Sequence, residues 1–185
     1  MRKIIPLNIN LNNLQKIFNN ISIDKYFLDG YRYKEIIRYK KLKNTFFETP
    51  HSPMYASEKH NPIHGGIIRK YNKITSCNEL EQIVNRFYKE TNLNDCEVLV
   101  QAQRILCKNN KEYYPTIEGI HQDGTKYMSI FCVNRENISG GISQIFTSNN
   151  PKDLCYEYEM KPNDMLILDD EKYWHYVTPI QKKQR

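Results

Sequence analysis

The chain has no apolar run approaching the ~18 residues that a membrane helix needs. Its N-terminal Ile4-Ile5 pair is cut off by Pro6 and then by Asn-rich sequence, well short of a signal-peptide core. Neither a helical anchor nor a secretory leader is expected. The cysteines, at 77, 96, 107, 132 and 155, are odd in number and form no CxxC pair. That excludes an obvious disulfide framework or thiolate zinc site and predicts reduced thiols, buried as small hydrophobes, in a cytoplasmic protein. Glycine is sparse, with 7 in all, and Gly65-Gly66 lies in neither a GxGxxG nor a Walker pattern, so no phosphate-binding loop is expected. Internal repeats and low-complexity blocks are also missing.

What remains is 185 residues, the usual length of one domain and enough to bury a core. Hydrophobic residues make up 39% and aromatics 12%, yet 14 tyrosines and 27 basic residues leave the chain polar on balance. The net charge of +6 is an ordinary solubility charge and would also favour an anionic ligand.

The first ninety or so residues read as mixed helix and loop. Leu11, Leu14, Phe18 and Ile21 recur at helical spacing, with Asn8 or Asn10 as a cap. A second helix is predicted over 77–91, where Leu80, Ile83, Val84, Phe87 and Tyr88 share a face and Ser76 with Glu79 makes a capping-box pair. From about Glu97 the pattern turns to short β-rich runs at 97–106, 113–120, 127–134, 142–147, 154–160, 164–169 and 173–178, separated by turn signals such as Gly140-Gly141 and Pro162-Asn163-Asp164. The expected fold is α+β: one domain over 1–185, helical or mixed over 1–95, with a jelly-roll core over 96–185 and the N-terminal helices packed on one sheet.

Glu118-Gly119-Ile120-His121-Gln122-Asp123-Gly124 is the segment that carries chemistry. Residues two apart on a strand share a face, so a strand here would present the His121 imidazole and the Asp123 carboxylate together. Two histidines and one carboxylate on one side of a metal leave the other side open, which is what a non-haem iron(II) oxygenase needs for cosubstrate and dioxygen. His175, in the run Tyr173–Thr178 after the acidic turn Asp169-Asp170-Glu171, is the candidate third ligand. The same residues also fit a surface His–Asp pair with an unrelated His175 in the core.

EGIHQDG, then Ser139-Gly140-Gly141, then Leu166–Asp170 and His175-Tyr176-Val177-Thr178-Pro179-Ile180, resembles the bacterial 2-oxoglutarate/Fe(II) dioxygenases that include L-isoleucine 4-hydroxylase. Asn61-Pro62-Ile63-His64-Gly65-Gly66-Ile67-Ile68-Arg69 resembles that family too, so the likeness runs from about residue 25 onward. It implies a double-stranded β-helix core, Fe(II), 2-oxoglutarate with ascorbate as a stimulant, and dioxygen. It also implies hydroxylation or sulfoxidation of a free L-amino acid. In such enzymes an arginine some ten or more residues beyond the last metal histidine grips the cosubstrate's distal carboxylate, because its fork pairs bidentately. Arg185 sits ten residues after His175. It is also the final residue, so the expectation is a chain truncated there, or a cosubstrate site that is either incomplete or filled by another basic residue such as Lys182 or Lys183. Arg32, Arg38, Arg69, Arg104 and Glu118 are candidates for substrate contacts, none of them individually assigned; a structural role stays open for each, and Glu118 equally fits support of the metal ligands or a plain turn.

Other features compete. His60 and His64 have the i, i+4 spacing of a zinc pair, with His51 nearby, but Pro62 and Gly65-Gly66 oppose a helix there. A loop near the active-site mouth is expected instead. Tyr31-Arg32-Tyr33-Lys34 and Arg38–Lys43 mix basic and aromatic residues in a way that suits nucleic acid. A solvated strand or helix face is the expected reading, and nucleic acid is not the expected partner. A degenerate, non-catalytic family member that binds metal or ligand is the remaining alternative.

Overall fold

The computed structural model describes residues 1–27, 29–43, 45–63 and 65–183. The densest apolar run, Met165-Leu166-Ile167-Leu168, lies in the middle strand of a three-stranded sheet, Asp164–Asp169, whose first five residues are buried. Antiparallel partners flank it: Tyr127–Phe131 on one side and the N-terminal strand Arg2–Pro6 on the other. A second sheet places Ser143–Phe146 between Leu154–Tyr158 and Trp174–Val177. Ile145 from this sheet packs in one cluster with Leu166 and Leu168 from the first and with Met160. Two antiparallel sheets sharing one core are consistent with a jelly roll. Each fully buried Leu or Ile there contributes roughly 1.5–3 kcal/mol. A two-stranded ribbon pairs Ile138–Gly140 with Ile180–Lys182.

The chain forms two compact units interleaved in sequence. The first contains Met1–Pro6, Tyr55–Ile68 and the residues from Ile105 on; the second contains Leu7–Met54 and Arg69–Arg104. In the second unit, the eleven-residue strand Arg32–Leu42 is the middle of a sheet with Thr45–Glu48 and Cys96–Ile105. Its helices are α1 (Asn12–Asn19) and α2 (Asn78–Thr91). The α2 face read from the sequence is the buried one: Leu80, Ile83, Val84, Phe87 and Tyr88. Tyr88 donates its hydroxyl to the carbonyls of Tyr39 and Cys96, 3.2 and 3.0 Å away.

Several expectations require correction. No capping box forms at α2. Cys77 is the N-cap residue, the Ser76 hydroxyl pairs with Tyr39 Oη at 2.7 Å, and Glu79 accepts from Asn13 Nδ2 at 3.2 Å. The early chain is not only helix and loop, since Arg2–Pro6, Arg32–Leu42 and Thr45–Glu48 are strands. The run 113–120 is not a strand. Pro115 has no N–H to give a ladder; Tyr113 exchanges bonds with Ile180 across an isolated bridge, and the Thr116 hydroxyl accepts from Val177 N. The cysteines are free but not buried: Cys77, Cys96, Cys107 and Cys132 are half-buried and Cys155 is exposed. Nor are Arg32 and Lys34 on a solvated face; both are buried. No helix among the described residues is long and apolar enough to cross a membrane.

Candidate metal centre

His121 and His175 meet across an isolated antiparallel bridge in the first unit. His121 N donates to His175 O at 3.1 Å and His175 N to His121 O at 2.9 Å, leaving the ring centroids 4.2 Å apart. The expected strand carrying His121 and Asp123 on one face is absent. His121 is the bridge residue and Asp123 lies in the loop after it. That loop nevertheless turns Asp123 toward both rings: His121 Nε2 is 3.7 Å from Oδ1, and His175 Nε2 is 3.8 Å from Oδ2. One donor atom from each of the three lies within 4.8 Å of the others, and no other such His/Cys/Asp/Glu group occurs among the described residues. His60, for one, packs its ring against Gly124.

The ring orientations suit metal binding. His121 Nδ1 is 3.0 Å from the Gly119 carbonyl, which can only accept, so Nδ1 carries the proton and Nε2 is left as a lone-pair donor. Burial disfavours a charge on His121, but Asp123, the Gly119 carbonyl and Glu118 outweigh it and raise the pKa. His175 is the deeper ring, and burial, aided by the His121 charge, lowers its pKa in spite of Asp123, Asp170 and Glu118. A neutral imidazole is the form that binds a metal. Asp123, whose side chain is 41% exposed, leaves one side of the group open.

Asp170, which sequence reasoning passed over, holds the Asp123 loop from beneath. Its side chain is fully buried, and it accepts from Asp123 N at 3.1 Å, Thr125 N at 3.0 Å and the Thr125 hydroxyl at 3.3 Å. The Asp170 carbonyl takes Gln122 Nε2 at 2.6 Å, and Oδ1 stands 3.8 Å from His175 Nδ1. Gly124 adopts φ 77°, and a Cβ there would come within 2.5 Å of the His60 ring, so the turn after Asp123 requires glycine. Glu118 sits in the preceding turn and accepts from Asn61 Nδ2 at 2.9 Å, which fixes the loop carrying His60 to the same segment.

Of the other anticipated residues, Arg38 pairs with Glu97 at 2.8 Å and Arg104 donates to Asn19 at 3.3 Å. Arg32 and Arg69 are buried in the second unit. Arg185 and His64 lie outside the described residues.

Two imidazole nitrogens and one carboxylate with an open side form the donor set of a non-haem iron(II) site, and the residues present fit that ion. Residues 15–185 match the 2OG-Fe dioxygenase family. The chain belongs to that family. As a 2OG-Fe dioxygenase it is an oxidoreductase that uses Fe(II) and 2-oxoglutarate, and its substrates are dioxygen and a small molecule. Solved structures agree on the fold. A bsmA homolog from Methylobium petroleophilum is 21% identical, with a TM-score of 0.73 over 92% of this chain and 72% of that one. IDO from Bacillus thuringiensis is 19% identical, with a TM-score of 0.74 over 99% and 83%. The Fe(II)/α-ketoglutarate-dependent dioxygenase TqaL is 13% identical, with a TM-score of 0.58 over 98% and 75%. No curated protein matches the chain.

Proposed function

We propose that this 2OG-Fe dioxygenase hydroxylates, or sulfoxidises, a small free L-amino acid with an aliphatic or thioether side chain, converting 2-oxoglutarate and dioxygen to succinate and CO2. His121, Asp123 and His175 are the proposed iron ligands. The observation that carries this reading is the reciprocal backbone bridge between the two histidines, with Asp123 within 3.8 Å of both rings. When bound, Fe(II) and 2-oxoglutarate supply the oxidising power to insert one oxygen atom. The chain's own part is to hold and orient. The Gly119 carbonyl keeps the proton on the outer nitrogen of His121, and Asp170 holds the Asp123 backbone in place. Orientation decides which C–H bond or sulfur is attacked, since the reacting atom must be within reach.

Arg185 is proposed as the partner of the cosubstrate's distal carboxylate, on its place ten residues after His175 and on the resemblance described above. The amino-acid substrate rests on the same resemblance. Residues 1–185 are read as a single oxygenase domain with its helices against a sheet, and the free thiols suit a cytoplasmic setting. The test is a screen of the standard amino acids with Fe(II), ascorbate and 2-oxoglutarate, read by mass spectrometry alongside succinate. A gain of one oxygen atom on isoleucine, leucine or methionine, matched by succinate, is the expected result. Product on a peptide or nucleobase but on no free amino acid would overturn the substrate assignment.

A further inference from the structure

Beside the turn that carries Asp123, the first unit opens a cleft of about 370 Å³. Gln122 and Gly124, which flank Asp123 in the chain, form part of its wall, and His60, Lys126 and Glu171 also line it. That volume suits a small molecule. Every lining residue is polar or glycine, so the cleft matches the polar head of a ligand and not an aliphatic chain.

The scaffold under the cleft is braced. Asp170 N donates to the Lys126 carbonyl at 3.1 Å, and the Asp170 carboxylate holds the amides of Asp123 and Thr125. Lys126, and Glu171 next to Asp170, are therefore carried by the same pair of turns as the proposed metal ligand.

The side chains of Asp170 and Thr125 are occupied with one another. Four other groups are not so engaged. Lys126 Nζ lies 6.0 Å from the Tyr127 ring centroid, at the limit of a cation–π contact, and pairs with no carboxylate among the described residues. The Glu171 carboxylate and the ring nitrogens of His60 make no hydrogen bond or ion pair among the described residues. Gln122 places its Nε2 on the carbonyls of Asp170 and Tyr173, at 2.6 and 3.4 Å, which leaves Oε1 as an acceptor. One cleft thus presents a cation and an imidazole together with a carboxylate and an amide oxygen. A simple anion would face Glu171 and a simple cation would face Lys126, whereas a zwitterion is attracted to both.

We propose that this cleft binds the zwitterionic head of an α-amino acid: Lys126 and the His60 ring take its carboxylate, and Glu171 with Gln122 Oε1 takes its ammonium. The inference rests on the amino-acid reading above and supplies the residues that would recognise that substrate.

Calorimetric titration of the Mn(II)-loaded protein reads binding without turnover. The probes are L-isoleucine, 2-methylbutylamine, which lacks its carboxylate, 3-methylpentanoate, which lacks its ammonium, and 2-oxoglutarate. Isoleucine is expected to bind more tightly than either singly charged analogue. Lys126→Gln should weaken isoleucine binding on the order of tenfold without weakening the amine. Glu171→Gln should weaken isoleucine by a similar factor without weakening 3-methylpentanoate. Both side chains are exposed, so both variants are expected to fold and to keep their Mn(II) affinity. Equal losses for all probes, wild-type isoleucine affinity in both variants, or a Lys126→Gln loss confined to 2-oxoglutarate would overturn the site. No binding of L-isoleucine, L-leucine or L-methionine to the wild type would overturn it too. Charge-selective losses with no oxidised amino acid would leave the site standing and remove the hydroxylase reading. An oxidised amino acid with wild-type affinity in both variants would do the reverse.

Discussion

Asp170 is the residue on which the metal centre's geometry depends without itself being a proposed ligand. Its carboxylate accepts from two loop amides and one hydroxyl, and an asparagine there would turn one amide hydrogen against those donors. Asp170→Asn is expected to weaken Mn(II) affinity about 10–100-fold and to lower stability by about 1–3 kcal/mol. Metal titration followed by paramagnetic resonance, with a melting curve, checks both, and the exposed neighbour Glu171→Gln should change neither. Wild-type metal affinity in Asp170→Asn would mean that the loop is held by other contacts. His121, Asp123 and His175 were legible because their residue types and order carry chemistry wherever they fall. Asp170 was not, because nothing in Asp169-Asp170-Glu171 distinguishes a solvated acidic turn from one whose middle carboxylate is fully buried beneath a loop some way back in the chain. Arg32 and Lys34 were misread for the same reason: burial of a cation follows from its tertiary neighbours, not from its type.

The strand elements near the site tolerate little change where backbones approach closely. Gly140 has φ 75°, and a Cβ there would collide with the Pro179 carbonyl, within the ribbon that pairs Ile138–Gly140 with Ile180–Lys182. Gly140→Ala is expected to cost about 2 kcal/mol or more through backbone strain and displacement of that ribbon. This would be read as a fall in melting temperature of roughly 4–8 °C. An unchanged melting curve would show that the two strands can separate at no cost. Legibility at this scale followed periodicity. The α2 face was readable because five apolar residues recur at helical spacing, whereas its cap was not, because Tyr39 from a distant strand takes the Ser76 hydroxyl. Arg32–Leu42 stayed open between strand and helix because basic residues occupy inward positions and break the apolar–polar alternation. Arg2–Pro6 escaped because its stability comes from pairing with Asp164–Asp169, at the other end of the chain.

For the whole molecule, family membership and the jelly-roll-like pairing of sheets agree with the readout from EGIHQDG and the later histidine, while the route to the triad differs from the one expected. A bridge plus a loop, rather than a strand face, brings the three groups together. The central claim is that one Fe(II) per chain is held by His121, Asp123 and His175. Anaerobic equilibrium dialysis with Fe(II) tests it most directly, comparing the wild type with His121→Ala, Asp123→Ala and His175→Ala, each verified as folded by its melting curve. One iron per wild-type chain is expected, with affinity lower by on the order of 100-fold or more in each variant. Iron bound equally well by all three variants would contradict the account.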